Sequence, residues 1–192
     1  MKSLLLIIAI LVSGTIAAAQ PNTSKLETVN PFDLNKYLGK WYEIAKYPNR
    51  FQKQCVGNVT ATYSKKSNDR IEVLNECLKK DGVMEAAKAE GKFADKSSIS
   101  KLKVRFAPSI LSFLPFVWAN YWIIDIGPNY EYAVVGEPNR KYFWILSREP
   151  VMNDLTYQNI LKRAEVMGYD SGKVVRTQQD LDPAKGAARN RS

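Results

Sequence analysis

The chain contains no histidine, and that absence bounds its chemistry before any motif is read. Ser-His-Asp and Cys-His activation, histidine general bases and histidine metal ligands are all excluded. A catalyst would have to be built from Asp, Glu, Lys, Tyr or a freed cysteine. The two cysteines are Cys55 and Cys77. In an oxidising compartment such a pair is expected as a disulfide, with a free reactive thiol as the alternative. No cofactor and no metal is expected.

The first nineteen residues indicate the compartment. Lys2, the apolar run Leu4 to Val12, and small residues ending at Ala17, Ala18 and Ala19 have the layout of a signal peptide, with cleavage expected between Ala19 and Gln20. The run is about half of the ~20 residues needed to span a bilayer, and no later segment is as long without a charge or a break. An exported protein is expected, periplasmic or secreted. Residues 1–54 hold no cysteine, so the thiol that carries the lipid of a bacterial lipoprotein is missing. Any association with an outer membrane is therefore expected without a lipid anchor.

The formal charge of +9 favours anionic partners: nucleic acid, phospholipid headgroups or carboxylate ligands. Nucleic acid fits export poorly, and the lysines are scattered rather than gathered on one helix. It is not expected as a partner.

Residues 20–180 suit one domain. Short apolar-polar alternations broken by turn signals run from about residue 40 to residue 149 and predict an antiparallel all-β structure. Strands are expected at about 40–47, 55–64, 70–79, 83–94, 99–107, 117–127, 130–136 and 141–148. Ser67-Asn68-Asp69, Lys80-Asp81-Gly82, Gly127-Pro128-Asn129 and Glu137-Pro138-Asn139 are the turns between them. Eight strands joined this way make an up-and-down meander.

A hairpin turning at Lys66 sets Ala61 opposite Ile71, Val59 opposite Val73 and Cys55 opposite Cys77, all on one face. This register favours the disulfide. The fourth strand puts Ala87, Ala89, Gly91 and Phe93 on one face, and the fifth puts Leu102, Val104 and Phe106 there. Small residues beside bulky ones are what a barrel with internal space allows.

In the eighth strand Tyr142, Trp144 and Leu146 are apolar on one face and Phe143 and Ile145 on the other, so something must cover its outside. The next segment supplies a helix at 154–167. Asn153 is its N-cap, Tyr157, Ile160, Leu161, Ala164 and Met167 form its stripe, and Gly168 ends it. Val174 and Val175 are expected as a short final strand, and residues 181–192 as a disordered basic tail.

The segment Asn30 to Ala45 contains Gly39-Lys40-Trp41, a Gly-x-Trp entering an alternating strand. Late in the chain Trp144-Ile145-Leu146-Ser147-Arg148-Glu149-Pro150 precedes the helix. With both end motifs present the chain resembles the lipocalins, nearest the branch of bacterial lipocalin and apolipoprotein D, over residues 30–179. The middle motif is loosely matched by Ile124-Asp125-Ile126-Gly127 with Tyr130 following. The resemblance implies an eight-stranded barrel with an apolar cavity, closed at one end and carrying the C-terminal helix on its wall. It also implies that Gly39, Trp41 and Arg148 close that end, with the arginine lying across the tryptophan ring.

Ligand contacts are then expected from the inward faces: Val59, Ala61, Val73, Ala89, Phe93, Leu102, Val104, Phe106, Trp122, Tyr132 and Trp144. The ligand class is an elongated apolar molecule such as a fatty acid or lysophospholipid. The alternative is an isomerase or de-epoxidase on this scaffold, although no paired carboxylates emerge from the inward faces. The apolar connection from Ala107 to Trp118 carries Ile110, Leu111, Phe113, Leu114 and Phe116. Ringed by basic loops at the open end, it is expected to dock on anionic membrane. The alternatives are that it caps the cavity of a monomer or forms a dimer contact. Asn22-Thr23-Ser24 and Asn58-Val59-Thr60 match the N-glycosylation pattern.

Overall fold

The computed structural model describes residues 25–66, 69–95, 98–106 and 118–182. The expected leader, residues 1–19, and nearly all of the expected basic tail lie outside them. The chain opens with a one-turn helix, α1 (Leu34–Tyr37), whose N-cap Asp33 accepts from the Asn35 amide. Eight strands follow: β1 (Gly39–Lys46), β2 (Cys55–Lys66), β3 (Arg70–Lys79), β4 (Met84–Asp95), β5 (Ser98–Arg105), β6 (Ala119–Ile126), β7 (Tyr132–Gly136) and β8 (Phe143–Ser147). Helix α2 (Asp154–Val166) and a two-residue strand β9 (Val175–Arg176) complete the order.

Each strand pairs antiparallel with the next, and β1 pairs with both β8 and β2, closing the eight strands into a barrel. Closure satisfies the edge groups that an open sheet leaves exposed. Four turn residues take left-handed backbone: Gly82 does so without steric cost, whereas Asp69, Tyr130 and Arg140 adopt positive φ as non-glycine residues.

The β2–β3 register differs from the expected one by four residues. Lys66 pairs with Arg70, Tyr63 with Val73 and Ala61 with Asn75, so the pairing continues through Lys66 instead of turning there. The shift is even, so it moves partners without changing faces. Irregularities between Cys55 and Gly57, and between Gly57 and Thr60, then bring Cys55 opposite Lys79. Cys55 and Cys77 still form the disulfide, as a diagonal pair with Cα atoms 5.6 Å apart.

Two apolar layers result. The outer one lies between the barrel wall and α2, where Ile44, Val134, Phe143 and Ile145 meet Tyr157, Ile160 and Ala164. The helix is capped as expected, with Asn153 accepting from the Leu155 and Thr156 amides. Both faces of β8 are therefore packed, Phe143 and Ile145 under the helix and Trp144 and Leu146 toward the barrel interior. Past α2 the chain returns to the gap where β1 and β2 diverge. There Thr177 donates its amide to Ile44, the Gln179 side chain donates to the carbonyls of Glu43 and Val59, and Asn58 pairs through its side chain with both backbone groups of Leu181. The Asn58 amide, which heads one of the two N-glycosylation patterns, is thus engaged by the C-terminal segment.

Candidate functional site

The interior is closed at the end where β1 begins. Trp41 is fully buried, its ring nitrogen donates to the Tyr37 carbonyl at 2.7 Å, and the Arg148 guanidinium lies over its ring at 3.7 Å. Arg148 also donates to the carbonyls of Lys36, Tyr37, Leu38 and Lys40 at 2.6, 3.2, 2.9 and 2.8 Å. Lys36, Tyr37 and Leu38 lie at the end of α1, where carbonyls are left without helical partners, and Lys40 is in β1, so one cation caps the helix, ties it to the first strand and covers the tryptophan. Gly39, at φ +94°, supplies the turn, and a Cβ there would meet the guanidinium at 3.4 Å.

Above this floor three phenols meet. Tyr121 Oη lies 2.8 Å from Tyr37 Oη and 2.6 Å from Tyr63 Oη. Burial is the main cause that pushes all three phenols up, Tyr63 to about 12, so the cluster is uncharged at neutral pH. Sequence reading missed this cluster, because each tyrosine fits its strand or turn pattern and nothing local signals that three elements converge.

The remaining inner surface is apolar. Of the residues expected there, Val73, Ala89, Leu102 and Val104 are buried in the interior cluster, and Ala61, Phe93 and Trp144 pack against it while remaining partly open. Val59 is buried at the β2 end of this surface and belongs to neither apolar cluster. Phe106 lies beyond the end of β5, where alternation no longer governs it, and is 53% exposed. Trp122 and Tyr132 are corrections, for both pack with the outer layer. The Lys101 ammonium lies over the Trp122 ring, and Arg163 reaches the Tyr132 hydroxyl at 2.9 Å. Tyr121, Ile123, Ala133 and Val135 are the residues that β6 and β7 turn inward. Both faces of these strands are apolar because α2 covers the outer one, so composition did not distinguish them.

The opposite end carries the connections β1–β2, β3–β4 and β7–β8. Glu43 is buried there and fully engaged, accepting from Lys46 at 2.7 Å, Gln52 at 2.5 Å and Thr177 at 2.6 Å. Gln52 in turn accepts from the Trp144 ring nitrogen at 3.1 Å, which ties the β1–β2 connection to the inner face. Ile110, Leu111, Phe113, Leu114 and Phe116, read as a membrane-docking loop, lie outside the described residues.

A family profile described as a lipocalin-like domain matches residues 32–179. Temperature-induced lipocalin-1 of Arabidopsis thaliana is 39% identical over 170 residues, covering 85% of this chain and 89% of that protein. Outer membrane lipoprotein Blc of Citrobacter freundii is 37% identical over 167 residues, with coverages of 85% and 89%. Apolipoprotein D of Mus musculus is 37% identical over 157 residues, covering 77% of each. Among solved structures, insecticyanin of Manduca sexta superposes with a TM-score of 0.64 at 23% identity, over 84% of this chain and 87% of that one, a likeness of fold. With the end motifs in the expected contact, the barrel closed and the helix on its wall, the chain belongs to the lipocalin family, which binds small hydrophobic ligands.

Proposed function

We propose that this protein is an exported carrier which holds an elongated apolar molecule, a fatty acid, lysophospholipid or similar lipid, inside its barrel. The observation that carries this reading is the inner surface itself. It is sealed at one end by Trp41 and Arg148 and apolar along its walls, and several inward side chains keep accessible area. Burial of an apolar chain there contributes about 25 cal/mol per Å² removed from water.

Binding rather than catalysis is supported by the state of the acids. Among the described residues the buried carboxylates are Glu43 and Glu137. Glu43 is held by three donors, and Glu137 by the amides of Asn139 and Lys141. Neither is left to serve as an acid or base. The bacterial relatives named Blc are outer membrane lipoproteins, which agrees with a removed leader at residues 1–19 and a working place beside a membrane. In this reading the lipid is exchanged where the open end meets an anionic bilayer.

Organic extraction of the purified full-length product, followed by mass spectrometry, tests the reading. A carrier brings lipid in near-stoichiometric amount, and the delipidated protein takes up added fatty acid. Protein that yields none and takes up none refutes it.

A further inference from the structure

The open rim holds a row of aromatic rings that the interior does not require. Phe51, in the turn Arg50–Gln52, is 46% exposed. Its ring lies 5.6 Å from Tyr142, and Tyr142 stacks on Trp144 at 5.9 Å with an interplanar angle of 16°. Trp144 packs against the interior cluster, so the three rings run from solvent to the inner wall without a break. An exposed phenylalanine beside a stacked pair costs free energy unless something apolar covers it.

A cation stands at each outer ring. The Arg50 guanidinium is 5.1 Å from the Phe51 centroid and the Lys141 ammonium 5.8 Å from that of Tyr142. Both residues are exposed, and among the described residues neither forms an ion pair, whereas the neighbouring Lys46 and Lys79 are paired with Glu43 and Asp81. The position is also fixed. Gln52 accepts from Asn49 at 2.8 Å and from Trp144 at 3.1 Å, and Glu137 accepts from the Lys141 amide at 2.5 Å.

We propose that Arg50, Lys141 and the Phe51–Tyr142–Trp144 row form a headgroup site at the mouth, selecting amphiphiles that carry an anionic group on an apolar chain. The assignment rests on the carrier reading and narrows it. The chain lies along the rings into the barrel while the carboxylate or phosphate stays at the water surface between the two cations. The tyrosine cluster at the floor is consistent with this orientation, because the burial that keeps its three phenols uncharged also disfavours an ionised headgroup beside them.

The test uses two matched pairs, laurate with dodecanol and a lysophosphatidic acid with its monoacylglycerol, titrated into delipidated protein by calorimetry at low and high salt. Wild type is expected to favour the charged member of at least one pair by about fivefold, the preference shrinking with salt. Preference in the first pair alone identifies a fatty acid, and in the second alone a phosphate headgroup. The double variant Arg50→Gln, Lys141→Gln is expected to bind the neutral compounds like wild type and to lose the preference. A preference retained in the variant, or absent from wild type while the neutral compounds bind, overturns the headgroup site and leaves the carrier standing. Failure of all four compounds to bind overturns both. If the variant keeps its preference but loses affinity for anionic vesicles, the cations serve a membrane surface and the assignment is wrong.

Discussion

Replacing Arg148 with alanine removes the closure of the barrel in one step. The guanidinium contacts the face of a fully buried tryptophan at 3.7 Å and is shared among four carbonyls at 2.6 to 3.2 Å. A cation on a desolvated indole contributes about 1 to 2 kcal/mol. The four hydrogen bonds are charge-assisted, but the side chain is only half-buried and water competes for it, so together they add about 1 to 2 kcal/mol more. The expected loss is about 3 kcal/mol, which for a domain of this size is about 6 to 12 °C in melting temperature. Arg148→Lys keeps the charge but lacks the planar fork that stacks and bridges at once, and should recover less than half. Urea unfolding followed by circular dichroism measures the loss, with laurate titration of the folded protein as the control. An alanine variant within about 0.5 kcal/mol of wild type would refute the reasoning, since surface substitutions without such contacts fall in that range. So would wild-type stability with selectively weakened binding.

Tyr121→Phe leaves the hydroxyls of Tyr37 and Tyr63 without their shared partner and should cost about 1 to 3 kcal/mol in unfolding experiments, more than Tyr63→Phe, which strips one contact only. Stability should also depend on alkaline pH. Tyr37, Tyr63 and Tyr121 are all raised above the ordinary 10.0, so the folded state keeps protons that the unfolded state releases. Their contribution is whole below pH 10 and is lost as pH rises toward and through about 12, the value for Tyr63. Flat stability from neutrality to beyond pH 11, measured by urea unfolding, would count against the cluster. Reducing Cys55–Cys77, whose positions are 22 apart in sequence, should cost about 3 kcal/mol in the chain-entropy model; equal melting temperatures with and without reductant would contradict it.

The sequence carried the strand positions because turn residues punctuate them, and the helix because β8 is apolar on both faces and needs a cover. It did not carry the β2–β3 partners. An alternating strand reports which residues share a face, but the register is set by where the paired strands end, here at Lys66 and Arg70, and by irregularities near Gly57 that alternation does not encode. The same limit applied in reverse at β6 and β7. There the helix makes the outside as apolar as the inside, and Trp122 and Tyr132 were assigned to the wrong one. Helix α1 escaped notice because four residues give no periodicity to read, although its carbonyls are what Arg148 binds. The Trp41–Arg148 contact was legible only through the paired end motifs, which identify residues more than a hundred positions apart that no local pattern connects.

The central claim, that the apolar molecule lies inside the barrel, is tested most directly by anomalous diffraction from crystals of the protein loaded with a chain-brominated fatty acid. The account predicts a bromine peak within the barrel, bounded by Ala61, Val73, Phe93, Leu102 and Trp144. Peaks confined to the outer wall, or an interior filled by its own side chains with no bromine at any loading, would contradict it.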